Sequence, residues 1–445
     1  MTPQTPARRP LAALAAGSLA AYVVQRVLYM VPTLLLISVL VFLLIELPPG
    51  DYFESYVAEM LASGEKVDPR KIEFLRQEYG FDLPPQERYY KASQSRLRWW
   101  KFRANRLALF SGVLLLLFFA AILVAEPLAP YAAGTRNAAV IYAPPQRLHL
   151  FHEGRFVGPF VYPYRKATLD LQTLQRKYEP DTTQPEPLQF FCRGDPYRFW
   201  GALPADLHLV CPAPGGQLYL LGTDRLGRDM LSRLIYGARI SLTIGLVGVA
   251  ISFVLGIVIG GLAGYLGGWF DLVVQRLIEV LQSIPTLPLW LALAALMPVS
   301  WGPVLVYFGI TLILGLIDWT SLARAVRSKL LALREEDYVL AARLLGAGPA
   351  RIIGRHLIPG FMSHLIASAT ITIPGMILGE TALSFLGLGM RAPAVSWGVL
   401  LNDAQNINVV VLYPWLMLPA VPVMVVILAL SFLGDGLRDA ADPLH

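Results

Sequence analysis

The six histidines and two cysteines of this 445-residue chain show no ligand spacing. There is no H-E-x-x-H run, and Cys192 and Cys211 lack the His or Cys neighbours a tetrahedral zinc site needs, so neither a metal nor another cofactor is expected. A G-x-x-x-x-G-K-[ST] phosphate loop is also missing, since Gly346-Ala347-Gly348 lacks the lysine. The chain is therefore not expected to be an enzyme or to hydrolyse nucleotide itself.

The polar residues inside apolar stretches are the next candidates, because each is costly there. Asp318 and Glu380 either line a polar pathway or bond to neighbouring helices. Arg276 and Glu279 stand three apart on one expected helix and should pair. In an oxidising exterior Cys192 and Cys211 can form a disulfide. Two free or buried thiols fit the residues equally well.

Between residues 330 and 359 a basic, polar stretch separates two long apolar segments. Val339, Ala342 and Leu345 predict a short amphipathic helix, broken by Gly346 to Pro349 and followed by a second helix to Pro359. Two short helices joined by a turn make a knob. Its Leu and Ala, ringed by charge, suit a groove on a partner protein; a hairpin resting on lipid headgroups is the alternative.

These residues must be positioned by membrane elements. Hydrophobic residues make up 55% of the chain and charged ones 15%, against about 25% charge in soluble domains, and mean hydropathy is +0.53. A polytopic membrane protein is expected, in contact with the bilayer. The net charge of +6 comes from basic residues beside apolar segments, which argues against nucleic-acid binding. Seven segments approach the roughly 20 residues a spanning helix needs, near 24 to 47, 107 to 128, 238 to 264, 272 to 297, 303 to 325, 361 to 388 and 410 to 433.

Arg88, Lys91, Arg96, Arg98, Lys101, Arg103 and Arg106 flank the second segment and place that flank in the cytoplasm. The chain then leaves the cytoplasm, residues 129 to 236 form an external insertion rich in Pro and aromatics, and alternation puts the 322 to 358 loop back inside. That loop is indeed basic. The first segment conflicts with this scheme, because Arg8 and Arg9 before it also ask to be inside. Gly256, Gly260, Gly264 and Gly268, four apart, predict a face on which helices pack closely.

The 330 to 359 loop resembles the coupling-helix signature of binding-protein-dependent ABC importers, Glu-Ala-Ala, three residues, Gly, nine residues, Ile-x-Leu-Pro. Ala341, Ala342, Gly346 and Pro359 match in register, while Leu340, His356 and Ile358 replace the Glu, Ile and Leu. Leu221 to Asp229, Ser232 to Leu242, Glu380 to Gly389 and Leu433 to Asp439 are similar to C-type permeases of dipeptide and oligopeptide importers. The resemblance covers 95 to 445. Tyr22 to Thr33 and Leu47 to Asp51 instead resemble the start of the partner B-type permease, which would account for the topological conflict.

The resemblance implies an all-α polytopic membrane protein: a six-helix permease core, one extra N-terminal helix, and an external irregular or β-containing insertion. Its parts would be 1–94, the B-type-like segment; 95–135, the basic flank and first core helix; 136–236, the insertion; and 237–445, the permease core. It also implies an ATP-driven importer in the inner membrane of a bacterium, for peptides or similar solutes. The partners would be a second, B-type permease, two ABC ATPase subunits and an external substrate-binding protein. The ATPases would couple through Glu335, Glu336, Asp337, Ala341, Ala342, Arg343, Gly346, Arg351 and Pro359. The alternative is a secondary transporter working without an ATPase, which should show an internal repeat; none is evident.

Overall fold

The computed structural model describes residues 94–165, 167–169 and 176–441. The expected helix at 24 to 47, its B-type likeness and the conflict it raises lie outside the described residues. Residues 98–445 form one unit by internal contacts. The described helices are α1 (Gln94–Ala104), α2 (Arg106–Leu123), α3 (Ala125–Leu128), α4 (Met230–Leu266), α5 (Gly268–Ser283), α6 (Thr286–Ala295), α7 (Pro303–Leu333), α8 (Asp337–Leu344), α9 (Pro349–Arg351), α10 (Met362–Phe385), α11 (Trp397–Asn402), α12 (Ile407–Leu412) and α13 (Ala420–Ala441).

Among the described residues five helices are long and apolar enough to cross a membrane, or six if α5 and α6 form one span. The segment expected at 272 to 297 is thus two half-helices, bent by 88°. Pro285 precedes α6 and Pro288 lies in its first turn, where a missing N–H costs little. Pro374, by contrast, sits inside an unbroken α10. Asp229 caps α4, its carboxylate accepting from the Ser232 backbone N–H at 2.7 Å, so this helix starts seven residues before the predicted core boundary.

Parallel helices α4 and α7 pack through three of the four predicted glycines. A Cβ on Gly256 would meet Leu322 at 2.9 Å, one on Gly264 would lie 2.8 Å from the Arg327 carbonyl, and one on Gly260 would overlap the Ala323 backbone. Gly268 departs from the ladder. It opens α5 with φ +60° and has open space around it, so its place in the four-residue period is a turn requirement. Antiparallel α10 closes on α4 at Gly245 and Gly248, against Ile377 and Met376, and α13 lies along α10 and α2.

The insertion between α3 and α4 is β-structured. β1 (His149–His152), β2 (Arg155–Val161) and β5 (Glu186–Pro187) make one antiparallel sheet; β3 (Thr168–Leu169) pairs with β4 (Arg176–Lys177), and β6 (Gln189–Phe199) with β7 (Leu203–Cys211). Cys192 and Cys211 are joined by a disulfide across the β6–β7 hairpin.

Candidate functional site

The knob lies at the end of the bundle opposite the insertion. Helix α8 turns Val339 (0% exposed) and Ala342 inward onto Ile352, Leu357, Phe361 and Leu330. Gly346 ends it at φ +82°. Its N–H donates to the Arg343 carbonyl at 2.9 Å, and the Ala347 N–H donates to the Ala342 carbonyl at 3.0 Å. This 5→2 and 6→1 pair is a Schellman cap, which needs a left-handed residue at Gly346. A Cβ there would meet nothing within 4 Å, so backbone conformation and not internal crowding accounts for the glycine.

The chain continues through α9 and a wide turn at Ile352–Leu357 into a tight one at Ile358–Phe361, which holds Pro359. One sequence expectation is corrected. Leu345 does not share the packed stripe of Val339 and Ala342; it is 88% exposed, because the cap turns the chain away before that position. Ala342 faces inward, whereas Leu340, Ala341 and Leu344 (90% exposed) face out with Leu345. Glu335, Glu336, Asp337, Arg343 and Arg351 stand exposed around this apolar row.

The knob is tied to the spanning helices. The Arg343 guanidinium sits 5.2 Å from the Tyr265 ring centroid near the end of α4. Arg334, closing α7, pairs with Glu335 at 2.9 Å and donates to the Gly264 carbonyl at 3.4 Å. Asp271 at the start of α5 pairs with Arg327 of α7. Contacts therefore run from the knob to α4 and α7, and α7 is tied in turn to α5.

Glu380 has no exposed surface. It accepts from Ser241 Oγ of α4 at 3.0 Å and Ser384 Oγ at 2.8 Å, and Ser241 Oγ in turn accepts from the Trp397 N–H at 3.1 Å. Of the two roles open to it, these bonds supply the tie between α10 and α4. Asp318 is half-buried in α7 with no ion pair among the described residues. Arg276 and Glu279 pair at 2.6 Å on an exposed face of α5.

At the insertion end the structure gathers residues to which sequence reasoning assigned no role. Asp224 (0% exposed) accepts from Arg228 Nε at 2.6 Å and pairs with Arg233, and Arg225 reaches Asp403 at 3.1 Å. Glu126 grips Arg239 through two bonds of 2.8 and 2.7 Å. The Trp200 ring, at the tip of the β6–β7 hairpin, stacks on that guanidinium at 4.2 Å, and its indole N–H donates to the Leu123 carbonyl at 2.9 Å. Buried His208 faces a carbonyl at each ring nitrogen, Ala129 at 2.6 Å and Asp195 at 2.8 Å. The signal for Arg233 appears only with the structure, which starts α4 at Met230, eight residues before the apolar segment read from the sequence.

Among the described residues no three His, Cys, Asp or Glu gather as metal ligands. What the arrangement offers is an exposed apolar row at one end and buried ion pairs at the other, on a bundle of helices long and apolar enough to span a membrane. That is the outline of a membrane transport subunit.

Comparison with known proteins agrees. The family described as binding-protein-dependent transport system inner membrane component matches residues 256–444, and the N-terminal TM domain of oligopeptide transport permease C matches 93–145. The dipeptide transport system permease protein DppC of Bacillus subtilis is 42% identical over 224 residues, 50% of this chain and 68% of that protein. The oligopeptide transport system permease protein OppC of Haemophilus influenzae is 39% identical over 241 residues, 54% of this chain and 75% of that one. An inward-facing MetNI methionine ABC transporter chain aligns at 23% identity and TM-score 0.36, over 48% of this chain and 98% of its own, too distant to add to the fold. The chain belongs to the inner membrane components of binding-protein-dependent transport systems, in the branch of the dipeptide and oligopeptide C-type permeases.

Proposed function

We propose that this chain is one of the two permease subunits of an ATP-driven importer for peptides, paired with a B-type permease, fed by an external substrate-binding protein and driven by two ABC ATPase subunits. The peptide assignment rests on its relatives' names. The observation that carries the coupling role is the knob: Leu340, Ala341, Leu344 and Leu345 face outward, on a helix whose opposite side is anchored by Val339 and Ala342. Apolar residues of that size at full exposure are costly unless covered, and a groove on an ATPase subunit would cover them. Charge beside the apolar segments puts this loop on the cytoplasmic side.

Closure of the ATPases on nucleotide would push the knob, and the links through Tyr265, Gly264 and Asp271–Arg327 would pass the push to α4, α5 and α7 as one body. In an importer expressed with its ATPases, wild-type chain should retain them on purification. An L344D/L345D variant, present in the membrane at equal amount, should lose them. Retention at the wild-type level by that variant would refute the docking role, and peptide uptake that persists without ATP would favour a secondary transporter.

A further inference from the structure

At the insertion end of the bundle, the α6–α7 connection and the loop after α10 form an open pocket of about 280 Å³. Apolar side chains of Met297, Val299, Trp301, Val306 and Leu388 line it beside polar backbone, stiffened by Pro298, Pro303 and Pro393. Prolines fix φ, and Met297, Val306 and Leu388 also pack on the core of α4, α7 and α10, so the site is held open without ligand. One charged residue lines it, Arg391. Arg391 Nε donates to the Gly387 carbonyl at 3.1 Å, which orients the group and leaves its terminal nitrogens without a hydrogen-bond partner among the described residues. No Asp or Glu is among the lining residues.

A lone, oriented guanidinium at the edge of an apolar cavity matches a ligand with one carboxylate and an apolar body. We infer that this cavity is a receiving site for the C-terminal end of a peptide, with Arg391 binding the terminal carboxylate and the Met297–Trp301–Leu388 wall taking the last side chain. The inference rests on the peptide-importer reading, which puts this end of the bundle outside. An anion borne by a lipid would meet the same guanidinium, so the test must separate the two.

Both native cysteines are in the disulfide, so a V299C substitution, at a wall position 84% exposed, gives the chain a single free thiol. With the assembled importer in detergent, the rate of maleimide labelling at V299C is followed as a dipeptide with an apolar C-terminal residue is added, either as the free acid or as the C-terminal amide. The free acid should slow labelling and the amide should need about tenfold more for the same protection. In V299C/R391Q the two should protect alike. V299C/R391K, which keeps the charge, should recover part of the difference. Equal protection by acid and amide in the R391-containing protein, or protection by added anionic lipid alone, would overturn the assignment. ATP-dependent uptake of the same peptide by the V299C importer is measured alongside, so that failure of the importer reading is told apart from failure of the site.

Discussion

The two ends of the helical bundle are built on opposite terms. At the insertion end charge is paired inside the chain: Glu126 with Arg239, Asp224 with Arg228 and Arg233, Asp403 with Arg225. At the other end the knob leaves Leu344 and Leu345 about nine-tenths exposed and keeps its charges on the rim. A buried pair is destabilising to break and indifferent to partners, whereas an exposed apolar row contributes nothing until something covers it. One end ties the chain to itself; the other, under the proposed function, is where a partner would be met.

If that division is right, substitutions at the insertion end should act on stability. E126A should have the largest effect, a loss of about 3–5 kcal/mol measured by thermal unfolding in detergent, because it leaves the Arg239 charge buried under Trp200. The double variant E126L/R239M should regain most of it. A loss below about 1 kcal/mol in E126A would mean that the pair is solvated and the comparison is wrong.

Titration should sharpen the same point. Burial pushes the Asp229 carboxyl up to about 6, from an ordinary 3.8, and its Oδ1 has no hydrogen-bond partner. The folded state thus holds this proton more tightly than the unfolded chain. Asp229's contribution is complete below about pH 4 and is lost as pH rises through about 6, a change on the order of 3 kcal/mol. Unfolding temperatures of the wild type should fall over that interval relative to D229N, which keeps a capping side chain without the titration.

The knob should respond least in stability. G346V forces a β-branched residue to φ +82° and should cost about 1–2 kcal/mol, fraying the end of α8, while G346N, tolerant of that backbone, should stay within about 0.5 kcal/mol of wild type. Uptake by G346N then decides what the glycine is for. Normal uptake leaves only the Schellman cap as its role; lost uptake with an intact fold means a partner approaches where the missing Cβ leaves room.

Much of this was legible before any coordinates. The spans were readable because a membrane helix must be apolar over about 20 residues, and Gly256, Gly260 and Gly264 because close helix approach needs small residues in a fixed period. The knob's two short helices and the break at Gly346 were readable from local chemistry. Its facing was not: a periodicity argument carried the stripe to Leu345, one residue past the point where the cap diverts the chain. The ionic anchor was harder still. Glu126 and Arg239 are 113 residues apart, and His208 meets Ala129 across 79, so nothing local to either partner announces the other. Glu380 was visible as a costly residue, but whether it bonded to a neighbouring helix or lined a pathway depended on which element Ser241 faced.

The Cys192–Cys211 bond has one more consequence. A bond of this kind persists only where thiols are not kept reduced, so its presence in a membrane-borne chain is a record of which side of the bilayer the β6–β7 hairpin reached during synthesis. The chain carries its own orientation marker: a thiol-blocking gel shift taken before and after reduction reads the sidedness of every helix that follows, with no fused reporter to disturb insertion.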